Sequence, residues 1–285
     1  MLHVPVGANT FGRFLPSTTG RPVAAQGTSV IPVVANFGAY AQLGADLTTD
    51  AYGILLCINS NSANNAARRT VVNIGIDNTG GTSYIVAIPN LIAGGAPTYV
   101  TEGMGQWYYF PLFIPRGSAV AAQARGSVTT AIRVQAWFMQ NPSNAAAIRK
   151  GSFVESIGAS TFEGTNVVPS TTAAEGAWTL MGTTTNRLWW WQVGLQGTAS
   201  DTSYGANTTI HLGVGVGDGT ALGTDVIIQD FPIRQGSAAE SFSSMPITVG
   251  CEWSVPAGSN IYVRAQNSGA NETGGYNATV YGLGG

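Results

Sequence analysis

Hydrophobic and polar positions alternate along most of this chain. Ile54, Leu56 and Ile58 fall on one side of a period-two pattern, with Leu55 and Cys57 on the other. Val72, Ile74 and Ile76 alternate with Asn73 and Gly75, Leu212, Val214 and Val216 with Gly213 and Gly215, and Ile261 and Val263 with Tyr262 and Arg264. Such alternation marks strands with one face buried. No long window carries the 3.6-residue period of an amphipathic helix; Ala145 to Lys150 gives one helical turn, too short to hold alone. Between the runs lie polar clusters such as Asp77–Gly81 and Gly217–Thr220, which supply the positive-φ residues that turns need. The pattern predicts an all-β chain with roughly seven to nine strands in each half, the content of an antiparallel sandwich.

The second regularity is self-similarity. Gly38-Ala39-Tyr40 returns 138 positions later as Gly176-Ala177-Trp178, and Val30-Ile31-Pro32 returns 137 positions later as Val167-Val168-Pro169. Val86 to Leu91 returns 140 positions on as Val226 to Phe231. Ile114-Pro115-Arg116-Gly117-Ser118, with the alternating run to Ala124, returns 141 positions on as Val255-Pro256-Ala257-Gly258-Ser259 and the run to Ala265. In both copies a proline fixes φ and a glycine permits a left-handed turn, a corner suited to a chain crossing between sheets. Gly7 to Phe11 resembles Gly158 to Phe162, and Val134 to Met139 resembles Ala278 to Leu283. Ordered matches at one long period predict two tandem homologous antiparallel β-sandwich domains. The expected boundaries are 1–143 for an N-terminal arm plus the first sandwich, 144–152 for a linker, and 153–285 for the second sandwich. The arm, Met1–Gly27, carries Pro5, Pro16 and Pro22. It is expected to run extended and to lie on something other than its own sandwich.

Composition narrows the chemistry. Charged residues are 9% of the 285, Lys150 is the only lysine, and the net charge is −2. No basic footprint for nucleic acid exists, and no apolar run approaches the ~20 residues of a membrane span. Met1–Gly7 has no basic n-region or apolar core, so no signal peptide is expected and the chain is expected to be made and kept in a cytoplasm. Cys57 and Cys251 read as two buried thiols rather than a disulfide or a metal site. His3 and His211 are the only histidines; His211 sits between Ile210 and Leu212 and reads as a strand residue facing away from them. Asp218 stands in a glycine loop without the spaced carboxylates of a calcium site. Asn207, Asn271 and Asn277 open glycosylation sequons that an Asn- and Thr-rich chain produces by chance. No catalytic set, cofactor site or metal site is expected, and the chain is read as not an enzyme.

Two features remain as interface candidates. Trp189-Trp190-Trp191 puts Trp190 on one face of a strand, read as the core, and Trp189 and Trp191 on the other. These two rings pack within the molecule or anchor a subunit interface, where aromatics are enriched. Arg68 and Arg69 form the only arginine doublet and are candidates for contact with an acidic patch. A surface this poor in charge is expected to be covered by copies of the chain or by a partner, which predicts a symmetric homo-oligomer, a trimer.

Tandem β-sandwiches with Gly/Thr/Asn-rich turns and few charges resemble bacteriophage virion proteins: jelly-roll decoration, cement or head-fibre proteins. The resemblance implies a non-catalytic structural role on the capsid, with the major capsid protein as a partner and the virion as location. Two alternatives stand beside it: a double jelly-roll major capsid protein, and a carbohydrate- or receptor-binding tail or fibre protein.

Overall fold

The computed structural model describes residues 13–16, 27–60, 69–93, 106–140, 149–168, 175–197, 209–217, 225–234, 247–251, 253–267 and 276–285. All regular structure among them is β. The first half holds β1 (Arg13–Pro16), β2 (Thr28–Val30), β3 (Val33–Val34), β4 (Ala41–Gln42), β5 (Ala51–Ser60), β6 (Thr70–Asp77), β7 (Ile85–Ala93), β8 (Gln106–Phe110), β9 (Ala119–Gly126) and β10 (Ile132–Gln140). The second holds β11 (Phe153–Ile157), β12 (Thr165–Val167), β13 (Thr179–Thr183), β14 (Trp190–Gly197), β15 (Thr209–Gly217), β16 (Asp225–Arg234), β17 (Ile247–Cys251), β18 (Asn260–Asn267) and β19 (Tyr276–Gly284).

Four sheets result. Sheet 1 runs β1-β10-β5-β8 with β2 also on β10, and sheet 2 runs β3-β9-β6-β7 with β4 also on β9. Sheet 3 runs β11-β19-β14-β17 with β12 also on β19, and sheet 4 runs β13-β18-β15-β16. Strand pairing is antiparallel except for the two-residue contact of β3 with β9.

The alternation read from the sequence sets the layers. Ile54, Leu56 and Ile58 of sheet 1 face Val72, Ile74 and Ala122 of sheet 2 in one buried cluster. Val193, Leu195 and Val280 of sheet 3 face Ile261, Val263 and Ala265 of sheet 4 in a second. Gly75 interrupts its strand because the Tyr40 ring lies where a Cβ would stand, 2.6 Å away.

Local irregularities recur between the halves. In β6–β7 the register slips between Val72 and Ile74 and again between Ile74 and Gly75. In β15–β16 it slips between Leu212 and Val214 and again between Val214 and Gly215, each 140 positions on. The corner glycines Gly117 and Gly258 both have φ +81. Gly117 N–H donates to Leu47 O at 2.7 Å and Gly258 N–H to Thr184 O at 2.8 Å. Ser118 Oγ donates to Pro115 O, and Ser259 Oγ to Pro256 O. Ala51 bridges Ile114, and Leu188 bridges Val255.

Two expectations are corrected here. Part of the N-terminal arm joins its own half: β1 pairs with β10, Arg13 opposite Gln140 through Pro16 opposite Trp137. The proline is tolerated because β1 is an edge strand and ends there. Of the rest of the arm only Gly27 is described; His3, Asp218 and linker residues 144–148 lie outside the described residues. The second correction concerns Trp190, read as facing the core of its own half. Trp190, Tyr281 and Leu283 belong instead to the buried cluster of the first half, so sheet 3 is buried on both faces.

Candidate functional site

The chemistry-bearing side chains gather along the seam that makes sheet 3 two-sided. Edge strands β7 and β8 lie on the same side of the first half and press onto the outer face of sheet 3. The Tyr108 hydroxyl donates to Ile92 O at 2.5 Å. Ile92 N–H donates to the Tyr281 hydroxyl oxygen at 2.8 Å, and that hydroxyl donates to Asn90 O at 2.9 Å. The Gln196 amide donates to Ala93 O at 2.7 Å, and the Gln106 amide to Leu195 O at 2.5 Å. An edge strand buried by packing must find partners for its outward backbone groups, and Tyr108, Tyr281 and Gln196 supply them for β7.

Rings fill the space between. Tyr108 meets Tyr281 edge-on at 5.5 Å, and Tyr109 meets Trp190 at 6.2 Å. Gly194 makes room: a Cβ there would stand 2.7 Å from the Tyr108 hydroxyl. Burial pushes the Tyr108 and Tyr281 hydroxyls above their ordinary value of 10.0, so both stay protonated as donors.

At the rim, Asn90 holds φ +53 at the β7 bulge, a left-handed position that asparagine tolerates better than most residues. Asn90 N–H donates to Asn73 Oδ1 at 2.8 Å, and its amide to Ser156 Oγ at 2.9 Å. Arg125 donates to Ser160 O at 2.7 Å; burial lowers its pKa.

The sequence candidates are placed as follows. Arg69 forms an ion pair with Glu163 and lies over the Phe162 ring at 4.9 Å, so it joins the two halves. Arg68 lies outside the described residues. Trp191 is fully buried, its indole N–H donating to Trp253 O at 2.8 Å. Trp189 is buried against Trp190 at 6.4 Å and beneath the Arg149 guanidinium at 4.0 Å. Trp189 and Trp191 as subunit anchors are therefore corrected: both rings are used inside the chain. Of His211 only the backbone position on β15 is described. Among the described residues no group of His, Cys, Asp and Glu could hold a metal ion.

Sequence reasoning missed two places. Trp107 and Trp137 stack at 5.3 Å and 22° on the outer face of sheet 1, both half-buried, with Leu55 half-buried beside them. The alternation of Trp107 with Tyr108 and of Trp137 with Phe138 was the available signal. The other is an open, mostly apolar groove of about 770 Å³ between β6–β7 and residues 112–115 and 152–153. Ile85, 78% exposed, and Val86 stand on one wall. Asp77 at its end accepts from the Thr79 hydroxyl and backbone and from Ser83 N–H. Those bonds hold its carboxyl below the ordinary range and make it a turn-former.

No protein-family model matches the chain, and no curated protein matches it. Among solved structures it is similar to PNGF-II, with TM-score 0.39 and 13% identity over 96% of this chain. It spans 65% of the length of that PNGF-II chain. PNGase F, a glycosylasparaginase from Flavobacterium meningosepticum, aligns with TM-score 0.32 and 10% identity over 96% of this chain and 94% of its own. A recombinant N-glycanase F aligns with TM-score 0.33 and 9% identity. The expected role as a non-catalytic virion protein is corrected by this finding, because the solved chains that align are enzymes. Neither the virion role, with its two alternatives, nor the exclusion of catalysis is carried forward. At these TM-scores and identities the likeness transfers no activity, substrate or residue to this chain.

Proposed function

We propose that the chain is a duplicated pair of jelly-roll sandwiches whose work is self-assembly into a symmetric homo-oligomer. Support for the duplication is the matched strand order of sheets 1 and 3 and of sheets 2 and 4. The bulges at matched positions and the twin corners at Gly117 and Gly258 add to it. Strands B-I-D-G and C-H-E-F of a jelly roll correspond to β1/β2-β10-β5-β8 and β4-β9-β6-β7, and again to β11/β12-β19-β14-β17 and β13-β18-β15-β16.

The observation that carries the assembly reading is the nearly uncharged exterior. Only 9% of residues are charged, while Ile31, Ile85, Val168 and Leu180 are more than half exposed. Isolated chains normally keep apart through charge, and exposed apolar surface marks contact. A trimer is the expected count. Light scattering of the purified full chain over a concentration series tests this. A mass of several chains is expected; a mass that stays at the 29.4 kDa of one chain throughout would overturn the reading.

A further inference from the structure

We propose that the groove beside Ile85 and Val86 seats the corner Ile31-Pro32-Val33-Val34 of a second copy of this chain. This rests on the assembly reading and names its surface.

The two surfaces stand on opposite edges of sheet 2. Its order is β3-β9-β6-β7, with the corner at β3 and the groove beside β7. Ile31 and Val34 are more than half exposed, and Val33 is exposed beside them. Pro32 between them is buried, and the chain beyond the corner is pinned where Gly38 N–H donates to Ala124 O at 2.9 Å. A corner held in this way loses little conformational freedom on docking. It cannot reach the groove of its own chain, because three strand spacings, about 14 Å, separate the two edges. The occupant is therefore another copy.

The groove continues the seam. Asn90, Ile92 and Ala93 of β7 take their partners from the second half. Ile85 and Val86, at the other end of the same strand, line the groove with Leu112 and Phe113. Ser152 and Phe153 of the second half close its far wall. The strand that joins the halves within a chain thus extends into an open apolar surface. Exposed apolar edges of this kind are templates for another chain.

The second half shows that corner and groove go together. Ile76 pairs with Ile85, and Val216 with Asp225, so Asp225 stands on β16 where Ile85 stands on β7. Ala51 bridges Ile114, and Leu188 bridges Val255, so Ser254 stands where Phe113 stands. Val30 pairs with Ile132, and Val167 with Tyr276, so Val168 matches Ile31. At the same spacing Ser170-Thr171 follows where the first half has Val33-Val34. The first half is apolar at both ends of the proposed contact, and the second half is polar at both. A corner from one copy in the groove of the next is a head-to-tail contact, which closes into a ring when its rotation allows.

The test is sedimentation velocity on the full chain and on Ile31→Asp, Ile85→Asp and Val168→Asp, each checked for fold by near-UV circular dichroism. Val34→Asp replaces Ile31→Asp if that variant does not fold. Ile31→Asp and Ile85→Asp are each expected to run as monomers, with the dissociation constant raised about 30-fold or more. Val168→Asp puts the same charge on the matching corner of the second half and is expected to assemble like the natural chain. An equimolar mixture of Ile31→Asp and Ile85→Asp is expected to form a mixed pair, because one keeps the groove and the other the corner. Either of these two variants assembling like the natural chain would overturn the contact and leave the assembly reading standing. Dissociation of Val168→Asp to the same extent, or a mixture without mixed pairs, would also overturn it. A natural chain that stays monomeric overturns the assembly reading itself, and this contact with it.

Discussion

Single residues decide the seam. The Tyr281 hydroxyl both accepts and donates across it, so Tyr281→Phe leaves the Ile92 donor and an Asn90 acceptor lone pair buried and unpaired. The expected loss is about 1–3 kcal/mol in chemical denaturation. Gly194→Leu would drive a side chain into Tyr108, Ile92 and Tyr281 and is expected to cost about 1–3 kcal/mol or to part the halves. Val263 is fully buried between sheets 3 and 4. Val263→Asp places an unpaired charge there and is expected to unfold the second half, at several kcal/mol. Val263 was legible as core from alternation alone. Trp190 was not: period two gives which residues share a face, never which face meets another layer, and sheet 3 has layers on both sides. Arg69 could not be linked to Glu163 either, because that pair joins positions 94 apart in sequence.

Elements carry the likeness between the halves. Gly117 and Gly258 share φ +81, and a Cβ at either would meet nothing within 4 Å. Replacing either by alanine therefore costs only backbone strain, about 1–2 kcal/mol. Equal losses for Gly117→Ala and Gly258→Ala are expected in thermal unfolding; a loss at one and none at the other would count against equivalent corners. The sequence showed these corners because proline and glycine constrain the backbone directly. It did not show the bulges of β7 and β16, since a bulge shifts pairing without changing the residue types that alternate. The Asp77 turn gives a pH dependence. Its carboxyl is held below the ordinary range, chiefly by the Thr79 hydroxyl. Its contribution is thus complete above the ordinary carboxylate range and is lost as pH falls through the lowered value. Asp77→Asn is expected to lower the neutral plateau and to flatten the acid limb of the stability profile.

At the scale of the whole molecule, the seam makes the halves one body. Tyr108 and Tyr281 are neutral and buried, with pKa raised above 10.0. Their contribution is complete below pH about 10 and erodes as pH rises beyond it. Alkaline unfolding should follow, and Tyr281→Phe should make it less steep. The low charge read at the outset bears on the exterior rather than the fold: a chain with 9% charged residues and a net charge of −2 has little for salt to screen. Assembly through a surface so poor in charge should be nearly indifferent to ionic strength. The most direct test of the self-assembly claim is sedimentation of the purified full chain at low and at high salt. An oligomer of one size in both conditions is the expected result. A stable, fully soluble monomer in both would contradict it.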